Sequence, residues 1–196
     1  MGQPVYLDMV IFKEQVKNGF FIEAGASDFE TDSNSLLFEL KHQWTGLLVE
    51  PNPIVYPKGI LKQRKAWAST SCFSTKTRPE FVPFSQRVMT WGMAGIAQHY
   101  GEATHQIQCF PFYTLLMAVG NVTVNYLSLD IEGAELAVLQ TIPWDKVDLE
   151  VITVETKHAG EVFPGTRQDI IEYLAQQGYV HDYMIAGGSE GPPKRF

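Results

Sequence analysis

The stretch Gly19-Phe20-Phe21-Ile22-Glu23-Ala24-Gly25-Ala26-Ser27-Asp28 decides the fold of this chain. Its apolar run ends at a carboxylate, Glu23, and a glycine turn follows at once. A second apolar run, Gly46-Leu47-Leu48-Val49-Glu50-Pro51, ends at a carboxylate 27 positions later. A helical pattern separates the two runs. The sequence therefore predicts a strand–turn–helix–strand unit with an acid at each strand end, an arrangement that holds nucleoside cofactors by their ribose hydroxyls.

The composition is that of one globular α/β domain. The chain has 196 residues, of which 45% are hydrophobic and 19% are charged, enough for a substantial core. The net charge is −7, and no basic cluster exceeds Lys62-Gln63-Arg64-Lys65. Because phosphate neutralisation needs a basic face, we expect no nucleic-acid partner. No apolar run approaches the roughly 18 residues of a membrane span, so none is predicted.

Strand and helix patterns alternate along the chain, which predicts a mostly parallel sheet with helices on both faces. Strands are predicted at residues 20–23, 47–50, 65–72, 124–131, 149–154 and 179–186. Helices are predicted at residues 10–17, 36–44, from 54, 112–119, 134–141 and 166–178. In the second helix, Leu36, Leu37, Leu40 and Trp44 are expected to share the buried face. The whole chain, 1–196, is interpreted as a single domain.

Residues 74–105 interrupt this alternation. They are rich in Ser, Thr, Gly and Pro with scattered aromatics, and we interpret them as an insertion or lid. Cys72 and Cys109 flank the segment, and their spacing fits no zinc motif. They are either two buried thiols or one disulfide worth about 4 kcal/mol, which would suit a secretory lumen rather than the cytoplasm.

The glycine turn is not that of a dinucleotide site. Such a site needs Gly-x-Gly-x-x-Gly, and here Ser27 and Glu30 take the positions of the second and third glycines. Glu30 would bring negative charge to the phosphates, so a cofactor without phosphate fits better. S-adenosylmethionine is such a cofactor, with Glu50 as ribose ligand and Gly25 allowing close approach of its amino-acid end. Alternatively, Glu23 and Glu50 are two solvated strand ends.

A second acidic group is Leu129-Asp130-Ile131-Glu132-Gly133-Ala134-Glu135. On a continuing strand, Asp130 and Glu132 project to the same face and repel each other. One could stay protonated, or a divalent metal, a sulfonium or a substrate amine could lie between them. Alternatively, one of them caps the helix that begins near Ala134. Glu135, already on that helix, is expected to be solvated.

A third candidate group follows the strand at 149–154, where Glu155 precedes His158. A histidine titrates near neutral pH and could act as general base on a substrate hydroxyl. The alternative is an exposed loop histidine without a role in the reaction.

With these residues identified, the chain resembles the FkbM family of S-adenosylmethionine-dependent methyltransferases. It looks closest to the animal branch related to the protein Star. The resemblance is carried by residues 19–28, 33–36, 46–53, 109–116 and 126–135. It implies a class I, Rossmann-like methyltransferase fold and methyl transfer to a hydroxyl of a sugar or other small molecule. The seventh strand with which this fold usually closes is not recognisable here.

The resemblance also implies roles for particular residues. The implied donor-binding residues are Glu23, Gly25, Ala26, Ser27, Asp28, Glu50, Pro51 and Asp130. Asp130 and Glu132 fall in the family's active-site motif, with His158 as the other candidate catalytic residue and Asp130 and Glu132 as candidate metal ligands. Phe29 departs from the family, since many relatives have glycine there. Because Star-like relatives act in secretory-pathway trafficking, the alternative function is a non-catalytic binding module.

Overall fold

The structure, a computed structural model, describes residues 2–86, 94–96, 105–182 and 196. Its strands are β1 Phe20–Ala24, β2 Thr45–Val49, β3 Trp67–Ser69, β4 Cys72–Phe73, β5 Glu80–Gln86, β6 Ala94–Ile96, β7 His105–Phe110, β8 Val124–Leu129 and β9 Leu149–Val154. Its α-helices are α1 Gln3–Tyr6, α2 Leu36–His42, α3 Tyr56–Ile60, α4 Phe112–Ala118, α5 Glu135–Leu139 and α6 Arg167–Gln176. A π-helical turn over Leu7–Ile11 continues α1.

The described residues form a five-stranded main sheet in the order β3-β2-β1-β8-β9, and each neighbouring pair is parallel. From β1 the chain proceeds outward to β2 and β3, and then returns to build β8 and β9 on the other side of β1. The direction of winding therefore reverses between β1 and β8. In sheets of this kind, ligands bind at the carboxyl ends of the strands on either side of this switch point. The sheet confirms the predicted α/β class.

Helices cover both faces of the main sheet because successive residues of its strands point to opposite sides. Ile22 of β1 joins a core with buried residues of α4, α5 and α6, such as Leu116, Val138 and Leu174. Phe21, the preceding residue, joins a second core on the other face with Phe38 of α2 and Leu7 of the N-terminal π-helical turn.

A second sheet has the order β4-β7-β5-β6. Its strands β5 and β6 lie within the segment 74–105 that the sequence predicts as an insertion or lid, and β4 and β7 flank that segment. The single strand predicted at 65–72 is wrong: β3 belongs to the main sheet and β4 to this second sheet. Cys72 and Cys109 face each other across β4 and β7 and form a disulfide, with a Cα–Cα distance of 4.4 Å. Of the two alternatives for these cysteines, the disulfide is confirmed.

Two helix predictions need correction. The first helical segment spans residues 3–11 instead of 10–17, since Pro4 in its first turn suits a helix start. In α2, Leu40 is 75% exposed, whereas Glu39 and His42 are buried. Polar residues can take the inner face because Arg64 pairs with Glu39 at 2.8 Å, and Asp8 lies 2.6 Å from His42.

Several predictions fall on residues outside those described. Only 179–182 of the strand predicted at 179–186 are described, and there Val180 accepts a backbone hydrogen bond from Phe196. Residues 87–93 and 97–104 of the predicted lid also lie outside. Among the described residues, no helix combines the length and apolar character that a membrane crossing requires.

Candidate functional site

The carboxyl ends of four adjacent strands bring the predicted acids together along one edge of the main sheet. In the order of the strands β2, β1, β8 and β9, this edge carries Glu50, Gly25, Asp130 and Glu155. Gly25 and Asp130 stand on either side of the switch point, where a ligand is expected.

Gly25 allows the β1 and β8 ends to approach closely. Its φ is +80°, a conformation that favours glycine, and its N–H donates to the Val49 carbonyl at 3.0 Å. The Asp130 N–H donates to the Ala24 carbonyl at 3.2 Å. A Cβ on Gly25 would lie well under 3.0 Å from the Asp130 carbonyl oxygen. Any larger residue would therefore push the Asp130 loop away from β1.

Glu23 anchors the loop that follows β1. The residue is only 3% exposed, and its carboxylate accepts hydrogen bonds from the Ser33 hydroxyl at 2.8 Å and the Asn34 N–H at 2.7 Å. The Ser35 hydroxyl also donates to it. Asn34 then donates from its side-chain amide to the Ser128 hydroxyl of β8 at 3.1 Å. Glu23 thus fixes the position of Asn34 beside β8.

Glu50 is buried, at 7% exposed, and each of its carboxylate oxygens accepts one backbone hydrogen bond. The donors are the N–H groups of Ser27 and Asn52, both at 2.8 Å. Burial raises the pKa of Glu50 to about 7, although the two hydrogen bonds act against the rise. A carboxylate has roughly four lone-pair sites, so one remains on each oxygen for a further donor.

The rest of the glycine turn is held by its own backbone. The Ala26 N–H donates to the Val49 carbonyl at 3.2 Å, and Ser27 has a positive φ of +48°. Asp28 accepts hydrogen bonds from Thr31 and Glu30. Burial raises the pKa of Asp28, but these hydrogen bonds outweigh it and the pKa lies below its ordinary value. Asp28 thereby closes the turn, and half-buried Pro51 directs the chain away from β2.

Phe29, where the sequence resemblance leads us to expect glycine, has a backbone conformation that glycine favours. Its φ is +69°, and its side chain is fully buried against the ring of Tyr56, with centroids 5.7 Å apart. Phe29 therefore contributes an aromatic ring to the core beneath the turn.

Asp130 is half-buried at the end of β8 and borders a cavity of about 300 Å³. Burial raises the pKa of its carboxyl to about 7, and repulsion from Glu132, Glu155 and Glu135 adds to the rise, whereas His158 opposes it. A carboxyl that titrates near neutrality can take a proton from a substrate and release it again.

The cavity has a polar wall that the sequence analysis largely missed. Besides Asp130, its lining includes the polar residues Asn34, Ser128, Thr153, Glu155 and Arg167. Ser128 and Thr153 are polar residues inside otherwise apolar strands, and this is the signal that could have found them. Glu23, Glu50, Glu132 and His158 are not among the lining residues that the structure describes.

Glu135 contradicts the expectation that it is solvated. It is 1% exposed, and its Oε1 accepts hydrogen bonds from the N–H groups of Ile131 at 2.9 Å and Gly133 at 3.2 Å. The side chain folds back over the loop before α5, because these N–H groups precede the helix and have no carbonyl partner within it. Burial raises its pKa, and its Oε2 is buried without a hydrogen-bond partner in the structure.

Glu135 also joins an acidic cluster with Asp130 and Glu155. One carboxylate oxygen from each residue lies within 4.8 Å of the others, close enough to hold a metal ion. Glu132, the second metal ligand that the sequence predicts, is not a member of this group.

His158 lies between two carboxylates outside the cavity wall. Its Nδ1 is 3.0 Å from Glu161 and its Nε2 is 3.4 Å from Glu132. The hydrogen bond to Glu161 raises the pKa of His158, with a further contribution from Glu132, and partial burial opposes this rise. The arrangement favours a charged imidazolium that neutralises part of the acidic loop.

The structure is a Rossmann-like α/β fold with acids at the strand ends on either side of its switch point. The family model for the methyltransferase FkbM domain matches residues 23–180. The chain therefore belongs to the FkbM methyltransferase family. Comparisons with curated proteins and with solved structures give no significant match.

Proposed function

We propose that the chain is an S-adenosylmethionine-dependent O-methyltransferase that acts on a hydroxyl of a small molecule or sugar. The observation that carries the proposal is the position of Asp130. Its carboxyl has a pKa of about 7 and borders a polar cavity, directly beside the glycine turn of the switch point. The site thus has a proton acceptor where a donor and an acceptor would meet.

The donor half of the site is the edge formed by β1 and β2. The two remaining lone-pair sites of Glu50 suit the two neighbouring hydroxyls of a ribose. The turn from Gly25 to Asp28, with Pro51 after Glu50, would border the rest of the donor. Glu23 contributes by fixing the loop that carries Asn34.

The acceptor half is the cavity at the ends of β8 and β9. Its wall offers hydroxyl, amide and carboxylate groups together with Arg167, which suits a polar acceptor with several hydroxyls. An apolar acceptor would displace water from these polar groups without replacing the hydrogen bonds of that water, at a cost in binding free energy.

The reaction would be an in-line displacement at the sulfonium methyl group. The acceptor oxygen would form a bond to the methyl carbon while the carbon–sulfur bond breaks and its electron pair returns to sulfur. Asp130 would accept the hydroxyl proton. Most of the rate enhancement would come from alignment of oxygen, carbon and sulfur. Asp130 is a better candidate base than His158, since the raised pKa of His158 favours its protonated form.

The disulfide favours one second candidate function. A bond between Cys72 and Cys109 is stable in an oxidising compartment such as the secretory lumen. The Star-like relatives act in that pathway, and the exposed ring of Phe81 on β5 could contact a partner. In this alternative the fold is retained for binding, and neither donor nor acceptor is turned over.

Calorimetry with S-adenosylmethionine and its demethylated product separates these two functions. We expect the donor to bind, and Asp130→Asn to reduce turnover by about a hundredfold or more with donor affinity nearly unchanged. Asp148→Asn is the matched control, because exposed Asp148 precedes β9 at the opposite edge of the sheet. Absence of binding at millimolar donor would reject the enzyme, and full turnover by the Asp130 variant would remove Asp130 from the mechanism.

A further inference from the structure

We propose that the carboxylates of Asp130, Glu135 and Glu155 form a binding site for a hard divalent cation, of the class of Mg²⁺, Mn²⁺ or Ca²⁺. Cation binding itself does not depend on the proposed methyl transfer. The site differs from the pair that the sequence suggests, since it uses Glu135 and Glu155 in place of Glu132.

Three separate elements bring these oxygens together. Asp130 follows β8, Glu135 begins α5, and Glu155 follows β9. The pairing of Leu129 with Val154 sets Asp130 beside Glu155, and the Glu155 N–H donates to the Leu129 carbonyl at 2.9 Å. The cluster is thus fixed by the main sheet and not by an exposed loop alone.

The distances suit a cation of this class. The three oxygens lie within 4.8 Å of one another. Oxygens on opposite sides of an ion stand about 4 Å apart around Mg²⁺ and about 5 Å apart around Ca²⁺, because the bonds measure about 2.1 and 2.4 Å. Only small side-chain movements would close the site. The three ligands are oxygens, which favours these ions over softer metals such as copper or zinc.

The second, independent observation is the unpartnered oxygen of Glu135. Its Oε1 is fixed by two backbone N–H groups, while Oε2 is buried without a hydrogen-bond partner in a residue that is 1% exposed. A buried carboxylate oxygen without a donor is costly, and two further carboxylates nearby raise the cost. A divalent cation bound by Oε2 would satisfy this oxygen and neutralise part of the charge of the cluster.

The other two residues of the cluster, Asp130 and Glu155, lie where an ion could reach them from the cavity. Glu155 accepts hydrogen bonds from the Lys157 N–H and, at 3.4 Å, from the His158 N–H, so its carboxylate is already oriented. Asp130 and Glu155 also border the cavity, so the ion would have coordination positions open toward it. If the proposed function is correct, an acceptor hydroxyl in one of these positions would lose its proton more easily, and Asp130 would then act as a ligand of the ion and not as the base.

Calorimetric titration of the EDTA-treated, desalted chain with MgCl₂, MnCl₂ and CaCl₂ tests the site, with manganese binding followed independently by electron paramagnetic resonance. We expect one ion per chain. Glu135→Gln keeps the Oε1 acceptor and should weaken binding by at least about tenfold. Glu132→Gln is the matched control on the same loop and should have a much smaller effect. An absence of binding by the unaltered chain would overturn the inference, as would equal losses in the two variants.

Two further measurements keep the test decisive if one variant fails to fold and separate the cation site from the proposed function. Asp130→Asn should weaken cation binding as Glu135→Gln does, so the test survives if one variant fails to fold, as judged by circular dichroism; unchanged binding by a folded variant would overturn the site. Binding of the demethylated donor product is then measured in EDTA. If the unaltered chain binds the donor product but no cation, the cation site is overturned and the proposed function stands. If it binds a cation but no donor product, the cation site stands and the proposed function is overturned.

Discussion

The raised pKa of Glu50 makes the stability of the protein depend on pH in a way that one substitution removes. Burial raises this pKa from 4.5 to about 7, so the folded chain holds the proton more tightly than the unfolded chain. The stabilising contribution of this proton is present in full below about pH 4.5, falls as the pH rises to about 7, and is absent above that. Across this window the free energy of unfolding should fall by about 3 kcal/mol because of Glu50.

Glu50→Gln removes this titration while keeping the size of the side chain. The glutamine cannot accept from both Ser27 and Asn52, so the variant loses stability by an amount that does not vary with pH. The difference in free energy of unfolding between the variant and the unaltered chain should therefore shift by about 3 kcal/mol in favour of the variant between about pH 5 and about pH 8.

Urea denaturation at several pH values, followed by circular dichroism, measures this shift. Glu172→Gln on the exposed face of α6 is the control. Its free energy of unfolding should not show the shift of about 3 kcal/mol relative to the unaltered chain that is expected of Glu50→Gln. Parallel curves for the unaltered chain and Glu50→Gln would refute the assignment of a buried, proton-holding carboxyl at the end of β2.

Two further predictions concern the turn and the disulfide. Gly25→Ala should cost at least about 3 kcal/mol of stability and abolish donor binding, because its Cβ meets the Asp130 carbonyl. Gly178 has a similar φ of +88°, but a Cβ there would meet nothing within 4 Å, so Gly178→Ala should cost only about 1 kcal/mol of stability. Equal losses of stability in the two variants, measured by urea denaturation, would argue against the close approach of Gly25 to Asp130. Replacement of both Cys72 and Cys109 by alanine should lower stability by about 4 kcal/mol, as expected for a loop with a sequence separation of 37. The same loss should follow reduction of the unaltered chain, and a midpoint that reduction does not move would contradict it.

The elements that the sequence predicts well are those whose signals are local. β9 spans Leu149–Val154, as the apolar run predicts, and the capping box of Thr166 and Asp169 begins α6. β1 and β2 lie within a residue or two of their predicted positions because each is an apolar run that ends at an acid. Gly25 likewise has the positive φ that its place between strand and helix suggests.

The features that the sequence does not reveal depend on residues far apart in the chain. The second sheet pairs β5 with β7 across a long connection, and β5 contains Pro83, which weakens its strand pattern. Glu135 has an ordinary place at a helix start, and only the fold shows that it is buried against its own loop. Glu23 has the position of a ligand, but three donors from 33–35 occupy its carboxylate. Spacing alone cannot show which acids are already satisfied.

The central claim is that one nucleoside donor binds at the ends of β2 and β1, beside the switch point, with Glu50 as its ribose ligand. Calorimetric titration of the chain and its Glu50→Gln variant with S-adenosylhomocysteine tests it most directly. We predict that one molecule binds per chain and that the variant binds at least about tenfold more weakly, because two charge-assisted hydrogen bonds to the ribose are lost or weakened. The absence of binding at millimolar ligand, or equal affinity in both proteins, would contradict the claim.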